Sequence, residues 1–203
     1  MTITAATLTT NLNADLQRSE EAADLAVYIR RAVDTISKLA KWPDLHTSDD
    51  TAIVATDTRI ADPADIRVLD KITVNDGSTD SEPLERMLWA DYKRHTADGN
   101  GLTGEPEYYC RHGGWIYLYP TANAAFTVTA GYWKHHGDPA DGIEFGDQFL
   151  HAVDFGTQAE YLTAKGLQVD PKADQVGARY TAAIALLLHE ADHEPGFVKY
   201  SDG

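Results

Sequence analysis

The hydrophobic residues of this chain keep a helical period near both ends and an alternating period between them. Residues 19–41 carry an apolar stripe at helical spacing with acidic residues in the first turn, and Trp42-Pro43 then ends the pattern. From 51 to 136, β-branched and aromatic residues alternate with polar ones between glycine-rich turns, which predicts strands. The helical period returns over 146–194. These changes of period predict an α+β fold.

The order of the segments predicts a helical bundle with an antiparallel β module inserted into it, folded as a single domain over residues 1–203. The bundle has one N-terminal helix and two C-terminal helices, and a short helix is predicted inside the β module at 81–95. The first ten residues are mostly small or β-branched and are predicted to form a mobile arm. The predicted parts are, in order, a helix (19–42), a β-rich insertion (51–136), a helical pair (146–194) and a tail (195–203).

The chain is strongly acidic, with 32 Asp and Glu residues against 17 Lys and Arg and a net charge of −15. Such a surface repels phosphate backbones, so the protein is not built to grip nucleic acid. Two interpretations remain open: simple solubility, or a surface that nucleic acid passes without binding. No apolar run approaches the roughly 18–20 residues of a membrane helix, and the first residues do not resemble a secretory signal. We therefore expect no membrane association.

Cys110 is the one cysteine in the sequence, so no disulfide can form within the chain. A catalytic thiol needs an activating neighbour, and His112 lies two residues away. Strand cysteines are more often small packing residues than nucleophiles. We therefore favour a structural role for Cys110.

An aromatic hairpin is predicted at 107–120 around a two-glycine turn. On its second strand Trp115, Tyr117 and Tyr119 share one face, and the aliphatic residues between them share the other. These aromatic rings suit either base stacking or packing within the sheet. We favour packing, because few positive charges lie near them in the sequence.

A zinc-protease motif, H-E-x-x-H, occurs near the end of the chain as His189, Glu190 and His193. On a helix this spacing places two imidazoles on one face, where they can bind zinc while the glutamate acts as general base. A catalytic zinc needs a third protein ligand, and the position that holds a histidine in the metzincin pattern is Lys199 here. The upstream candidates for a third ligand are His135, His136 and His151.

The same segment has a second interpretation as the polar last turn of a packed helix. Histidine suits this position because of the helix dipole, and Pro195-Gly196 ends the helix. We favour this interpretation, since no residue is specified as the third zinc ligand.

Several short motifs follow one another along the chain in a characteristic order. They are Trp42-Pro43, the Pro-Ala-Asp-Ile turn at 63–66, Gly104-Glu-Pro-Glu-Tyr108, Gly114-Trp-Ile-Tyr-Leu-Tyr-Pro120 and Gly131-Tyr132-Trp133. Two helices follow them. This order resembles the head-to-tail adaptor family of tailed double-stranded DNA bacteriophages, also called tail tubular or head-completion proteins, over roughly residues 20–190.

The resemblance implies a structural role in the virion. Members of this family form a ring, a dodecamer, beneath the portal ring of the capsid, with the helices around the ring and the β module facing the tail. The implied partners are further copies of the chain, the portal protein, a tail tube or nozzle protein, and genomic DNA that passes through the lumen without specific binding. The implied location is the head–tail junction, after assembly in the host cytoplasm. The acidic charge then predicts an electronegative bore along which DNA slides.

Three classes of function are therefore under consideration. We favour a structural ring protein with no catalytic residues, no cofactor and no bound metal, in which the tail at 195–203 contacts a neighbouring subunit or the portal. The alternative is a zinc-dependent hydrolase that uses His189, Glu190 and His193. A third class is a monomeric binding module that uses the aromatic hairpin.

Overall fold

The structure is a computed structural model, and it describes residues 3–77, 82–97, 101–139, 142–167 and 171–191. Helices and sheets are both present, so the predicted α+β class is confirmed. The contacts divide the chain into two compact units, which we call the helical unit and the β unit. The helical unit comprises residues 1–46 and 135–203, and the β unit comprises residues 47–134.

Five α-helices lie in the described residues, and all but the third belong to the helical unit. They are α1 (Ala5–Leu16), α2 (Ala22–Leu39), α3 (Trp89–Ala97), α4 (Leu150–Ala164) and α5 (Pro171–Ala191). Helices α2, α4 and α5 lie where the periodicity predicts them. Short 3₁₀ turns precede β1 at Pro43–Leu45 and α4 at Asp147–Phe149. No helix in the described ranges is long and apolar enough to cross a bilayer.

The prediction of a single N-terminal helix was wrong, because the supposed mobile arm forms helix α1. The helix begins after Thr4, whose Oγ1 accepts a hydrogen bond from the backbone N–H of Thr7 at 3.2 Å. Its leucines Leu8, Leu12 and Leu16 are spaced four residues apart and are all buried. Packing of this face overrides the low helix propensity of its threonines and asparagines.

The core of the helical unit forms around the apolar stripe of α2. Ile29 and Ile36, on that stripe, are almost completely buried. Trp42 packs edge-on against Phe149 with ring centroids 4.9 Å apart, and its indole N–H donates to the carbonyl of Ile36 at 2.7 Å. The tryptophan that ends the helical pattern in the sequence is therefore a central packing residue.

Helices α2, α4 and α5 approach one another closely at Gly156. A Cβ atom at this position would lie 3.1 Å from Ala32 of α2 and 3.1 Å from the ring of Tyr180 on α5. Contacts this short are tighter than those of ordinary side-chain packing. The absence of a side chain at Gly156 thus sets how closely the three helices can meet.

A polar network joins α1 to α4 inside the helical unit. The Asn11 amide donates to Asp154 Oδ2 at 2.9 Å, and the Gln158 amide donates to Asp15 Oδ2 at 3.1 Å and to Asp154 Oδ1 at 3.3 Å. Both α4 side chains of the network are buried. Burial raises the pKa of Asp154, although the hydrogen bonds from Asn11 and Gln158 act in the opposite direction.

Asp154 should make the stability of the helical unit depend on pH. Because its folded-state pKa is raised above the unfolded value, the neutral form favours folding. This contribution is present in full below the unfolded pKa and is lost as pH rises through the folded pKa. Urea unfolding at a series of pH values should therefore show wild type losing stability relative to Asp154→Asn over that window.

Asn11→Ala is the informative companion variant for this experiment. It removes the hydrogen-bond donor that lowers the pKa of Asp154, so the folded-state pKa should rise further. The loss of stability should then continue to a higher pH than in wild type. Parallel pH profiles for wild type and Asp154→Asn would show that this carboxyl group does not carry the effect.

The β unit contains nine strands in its described residues, with β1 beginning at the boundary residue His46. They are β1 (His46–Ile53), β2 (Arg59–Ala61), β3 (Ile66–Asn75), β4 (Glu85–Arg86), β5 (Thr103–Gly104), β6 (Tyr108–His112), β7 (Trp115–Tyr119), β8 (Thr121–Ala122) and β9 (Phe126–Lys134). They form sheets of order β1-β9-β3, β2-β7-β6-β4 and β5-β8. The predicted antiparallel pairing is found between β2 and β7, β3 and β9, and β6 and β7, whereas β4 pairs parallel with β6 and β5 pairs parallel with β8.

The helix predicted at 81–95 begins later than expected, at Trp89. The preceding backbone pairs with strands instead: the N–H of Leu84 donates to Ile72 at 2.8 Å, and that of Met87 donates to Tyr109 at 2.8 Å. The Leu84 side chain is buried in the core of the β unit, although it does not belong to a helix. This segment therefore positions α3 against the sheet that carries the aromatic hairpin.

Candidate interaction surface

The four-stranded sheet of the β unit has one aliphatic face and one aromatic face. Ile116 and Leu118 of β7 are buried in the core of the unit, as the alternation predicts. On the opposite face, Tyr117 and Tyr119 cluster with Cys110 of β6 and with Tyr92 of α3. Helix α3 thus covers part of the aromatic face.

Trp89 of α3 forms the centre of a group of stacked rings on this face. Its ring lies parallel to His112 at 4.2 Å and to Tyr92 at 5.4 Å, and it contacts Tyr117 at 4.9 Å, all measured between ring centroids. These contacts support packing as the role of Tyr92 and Tyr117. Trp115 differs, because 38% of its surface is exposed.

Two cations lie on the tryptophan faces. The Arg59 guanidinium is 4.1 Å from the ring centroid of Trp115, and it donates a 3.4 Å hydrogen bond to the hydroxyl of Tyr117. The Lys93 ammonium is 5.2 Å from the ring centroid of Trp89. Among the residues that the structure describes, neither cation has a carboxylate within ion-pairing distance.

We call this surface the cation–aromatic patch and define it by Arg59, Trp89, Lys93, His112, Trp115 and Tyr117. Few positive charges lie near the aromatic hairpin in the sequence, but the fold brings two cations to this surface. Arg59 is 58 positions from Tyr117 in sequence and reaches it because β2 pairs with β7. The one sequence signal was the helical spacing of Trp89 and Lys93. Exposed tryptophan and arginine together are typical of the energetic centres of protein interfaces.

Cys110 is not an activated thiol. It is 2% exposed, and burial raises its pKa, with a smaller opposing effect from Arg86. His112, the neighbour considered as an activator, stacks on Trp89 instead. The structural role favoured for Cys110 is consistent with this environment.

The zinc motif is only partly within the described residues. His189 is exposed on α5, which ends at Ala191, while the Glu190 side chain and His193 lie outside the described residues, as does the tail at 195–203. Within the described ranges, no group of three or more His, Cys, Asp or Glu side chains is arranged to hold a metal ion. The part of the chain that the structure describes therefore gives the zinc-hydrolase interpretation no support.

The other candidate histidines have separate environments. His136 is buried; its Nδ1 donates to the carbonyl of Gly137 at 2.8 Å, and its Nε2 accepts from the backbone N–H of Glu144 at 2.8 Å. Both of its nitrogens are therefore engaged. His135 and His151 are exposed, and His151 stacks on Phe155.

The acidic charge is shared by both units. The helical unit carries 18 Asp and Glu residues against nine Lys and Arg, and the β unit carries 14 against eight. Neither unit is therefore a basic module suited to gripping nucleic acid. The cation–aromatic patch differs from the acidic surroundings because it carries the cations Arg59 and Lys93.

Comparison with known proteins gives one informative match. A family model described as SU10 adaptor protein matches residues 3–197, which include both units. No curated protein matches the chain.

Proposed function

The chain belongs to the SU10 adaptor protein family of phage head–tail adaptors, and we propose that it forms a ring joining the capsid portal to the tail. The observation that carries this proposal is the extent of the family match, which runs through the helical unit and the β unit alike. Both units then act together as one adaptor domain. The ring is a dodecamer at the head–tail junction of the virion, and it assembles in the host cytoplasm.

The charge of the chain supports a passage for DNA. Both units carry an excess of carboxylates, so a channel lined by either unit presents like charge to the phosphates of the genome. DNA then moves through the lumen without a specific contact. The portal protein binds one side of the ring, and a tail tube or nozzle protein binds the other.

The cation–aromatic patch supports a role in protein contacts rather than in catalysis. Arg59 and Trp115 present a charged donor group and an exposed aromatic surface side by side. Such pairs anchor protein interfaces because they combine apolar area with directional hydrogen bonds. The proposed function requires no enzyme activity, cofactor or metal.

The test is to mix the purified chain with the portal protein of the same phage and measure the mass of the complex by native mass spectrometry. The portal should gain the mass of a complete ring. A monomer in the absence of portal is compatible with the proposal, because the portal can template the ring. A portal that gains no mass across a wide range of chain concentrations would contradict it.

A further inference from the structure

The cations of the patch are available to a partner outside the chain. Arg59 stacks on Trp115 and Lys93 lies over Trp89, so neither has a carboxylate partner in the described part of the protein. A guanidinium on an aromatic ring keeps N–H donors that can bind a carboxylate bidentately. The patch therefore suits a partner that presents acidic side chains.

An acidic surface of this kind lies elsewhere in the β unit. Four exposed glutamates, which we call the glutamate corner, line a hollow of about 330 Å³: Glu82, Glu85, Glu105 and Glu107. None of the four forms an ion pair with any residue that the structure describes. The unit thus carries a cationic surface and an acidic surface, and the cations of the first and the glutamates of the second form no ion pairs among the described residues.

The strand register places Arg59 and Glu85 on opposite edge strands of the four-stranded sheet. At one end Glu85 of edge strand β4 pairs with Tyr108, which pairs across the hairpin with Tyr119. On β2, the opposite edge strand, Arg59 pairs with Tyr117, two residues along β7 from Tyr119, and Ala61 pairs with Trp115 at the far end of β7. Three strand spacings separate the edges, roughly 14 Å, and the offset along the strands adds to this separation. Arg59 therefore cannot reach the glutamates of its own chain.

We propose that the cation–aromatic patch of one copy binds the glutamate corner of the next copy. This inference rests on the proposed ring, and it identifies the surfaces that the copies use. A ring needs a head-to-tail contact between two different, complementary surfaces of the same chain. The two surfaces meet this requirement in charge, Arg59 and Glu85 lie on opposite edge strands, and the exposed side chains leave both surfaces accessible. Arg59 and Lys93 bind the glutamates, and Trp115 supplies the apolar area of the contact.

The test uses charge reversal in the full-length chain, assembled on the portal protein of its phage. The double variant Arg59→Glu, Lys93→Glu should raise the concentration at which half of the chains are in rings by at least about tenfold, because like charges then face each other. The triple variant Glu85→Lys, Glu105→Lys, Glu107→Lys should do the same from the opposite surface. A chain with all five substitutions should recover ring assembly, because its charges are again complementary.

Lys38→Glu serves as the matched control, since it reverses an exposed cation of α2 outside both surfaces. It should leave ring assembly unchanged. Circular dichroism of each variant verifies folding, and because either surface can be reversed alone, one misfolded variant does not remove the test.

Each outcome bears on the proposal directly. Loss of rings in both single-surface variants and recovery in the combined variant supports it. Normal rings in the folded double variant overturn it while leaving the proposed function intact. Normal rings that fail to recruit tail protein, or duplex DNA binding that Arg59→Glu abolishes, overturn it by assigning the patch to another partner. A wild-type chain that forms no ring on the portal overturns both proposals.

Discussion

Trp42→Ala should lower the free energy of unfolding of the helical unit by about 3–5 kcal/mol, the cost typical of truncating a buried aromatic residue. Trp42 is 2% exposed and packs edge-on against Phe149. The substitution leaves a cavity, and it also removes the indole N–H that donates to the carbonyl of Ile36 at 2.7 Å. Urea unfolding followed by far-ultraviolet circular dichroism measures the loss.

Two further variants separate the causes of this loss. Trp42→Phe keeps an aromatic ring but removes the donor, so it should cost less than Trp42→Ala. Trp115→Ala truncates the same type of residue where 38% of its surface is exposed, so it should cost about 1 kcal/mol or less. Equal losses at Trp42 and Trp115 would show that Trp42 is not the packing centre of the helical unit.

Leu12→Asp should destabilise the helical unit by at least about 3 kcal/mol, because it places an unpaired carboxylate in an apolar site. Leu12 is fully buried on α1, between Leu8 and Leu16. Thr10→Asp is the matched control: it lies on the exposed face of the same helix and should change stability by only about 0.5 kcal/mol. Thermal and urea unfolding of both variants compare the two faces. Similar small effects at the two positions would contradict the packing of α1.

The elements with strong periodicity could be predicted from the sequence. The stripe of α2 and the alternation of β7 each bury the residues expected, because apolar burial decides both patterns. Helix α1 could not be recognised in the same way. It is rich in Thr and Asn, and it is held partly by the hydrogen bond from Asn11 to Asp154, whose partner is 143 positions away. The residues near Asn11 in the sequence do not indicate that contact, so it could not be predicted from them.

The aromatic face of the four-stranded sheet could be predicted only in part, for a similar reason. The shared face of Trp115 and Tyr117 follows from strand alternation. The cation beside them does not, because Arg59 is brought there by the pairing of β2 with β7. The sequence around Leu84 is predicted to be helical, whereas strand pairing determines its conformation. Pairing between strands that are distant in sequence therefore determines both the position of Arg59 and the conformation around Leu84, and local sequence patterns do not predict such pairing.

An electron cryomicroscopy reconstruction of the portal complex, or of the neck of the intact virion, would show directly whether the chain forms a ring between the portal and the tail. We expect a closed ring of this chain against the portal, with carboxylates of the chain lining the DNA passage. A chain bound elsewhere in the virion, or a ring whose lumen is lined by Lys and Arg, would contradict it.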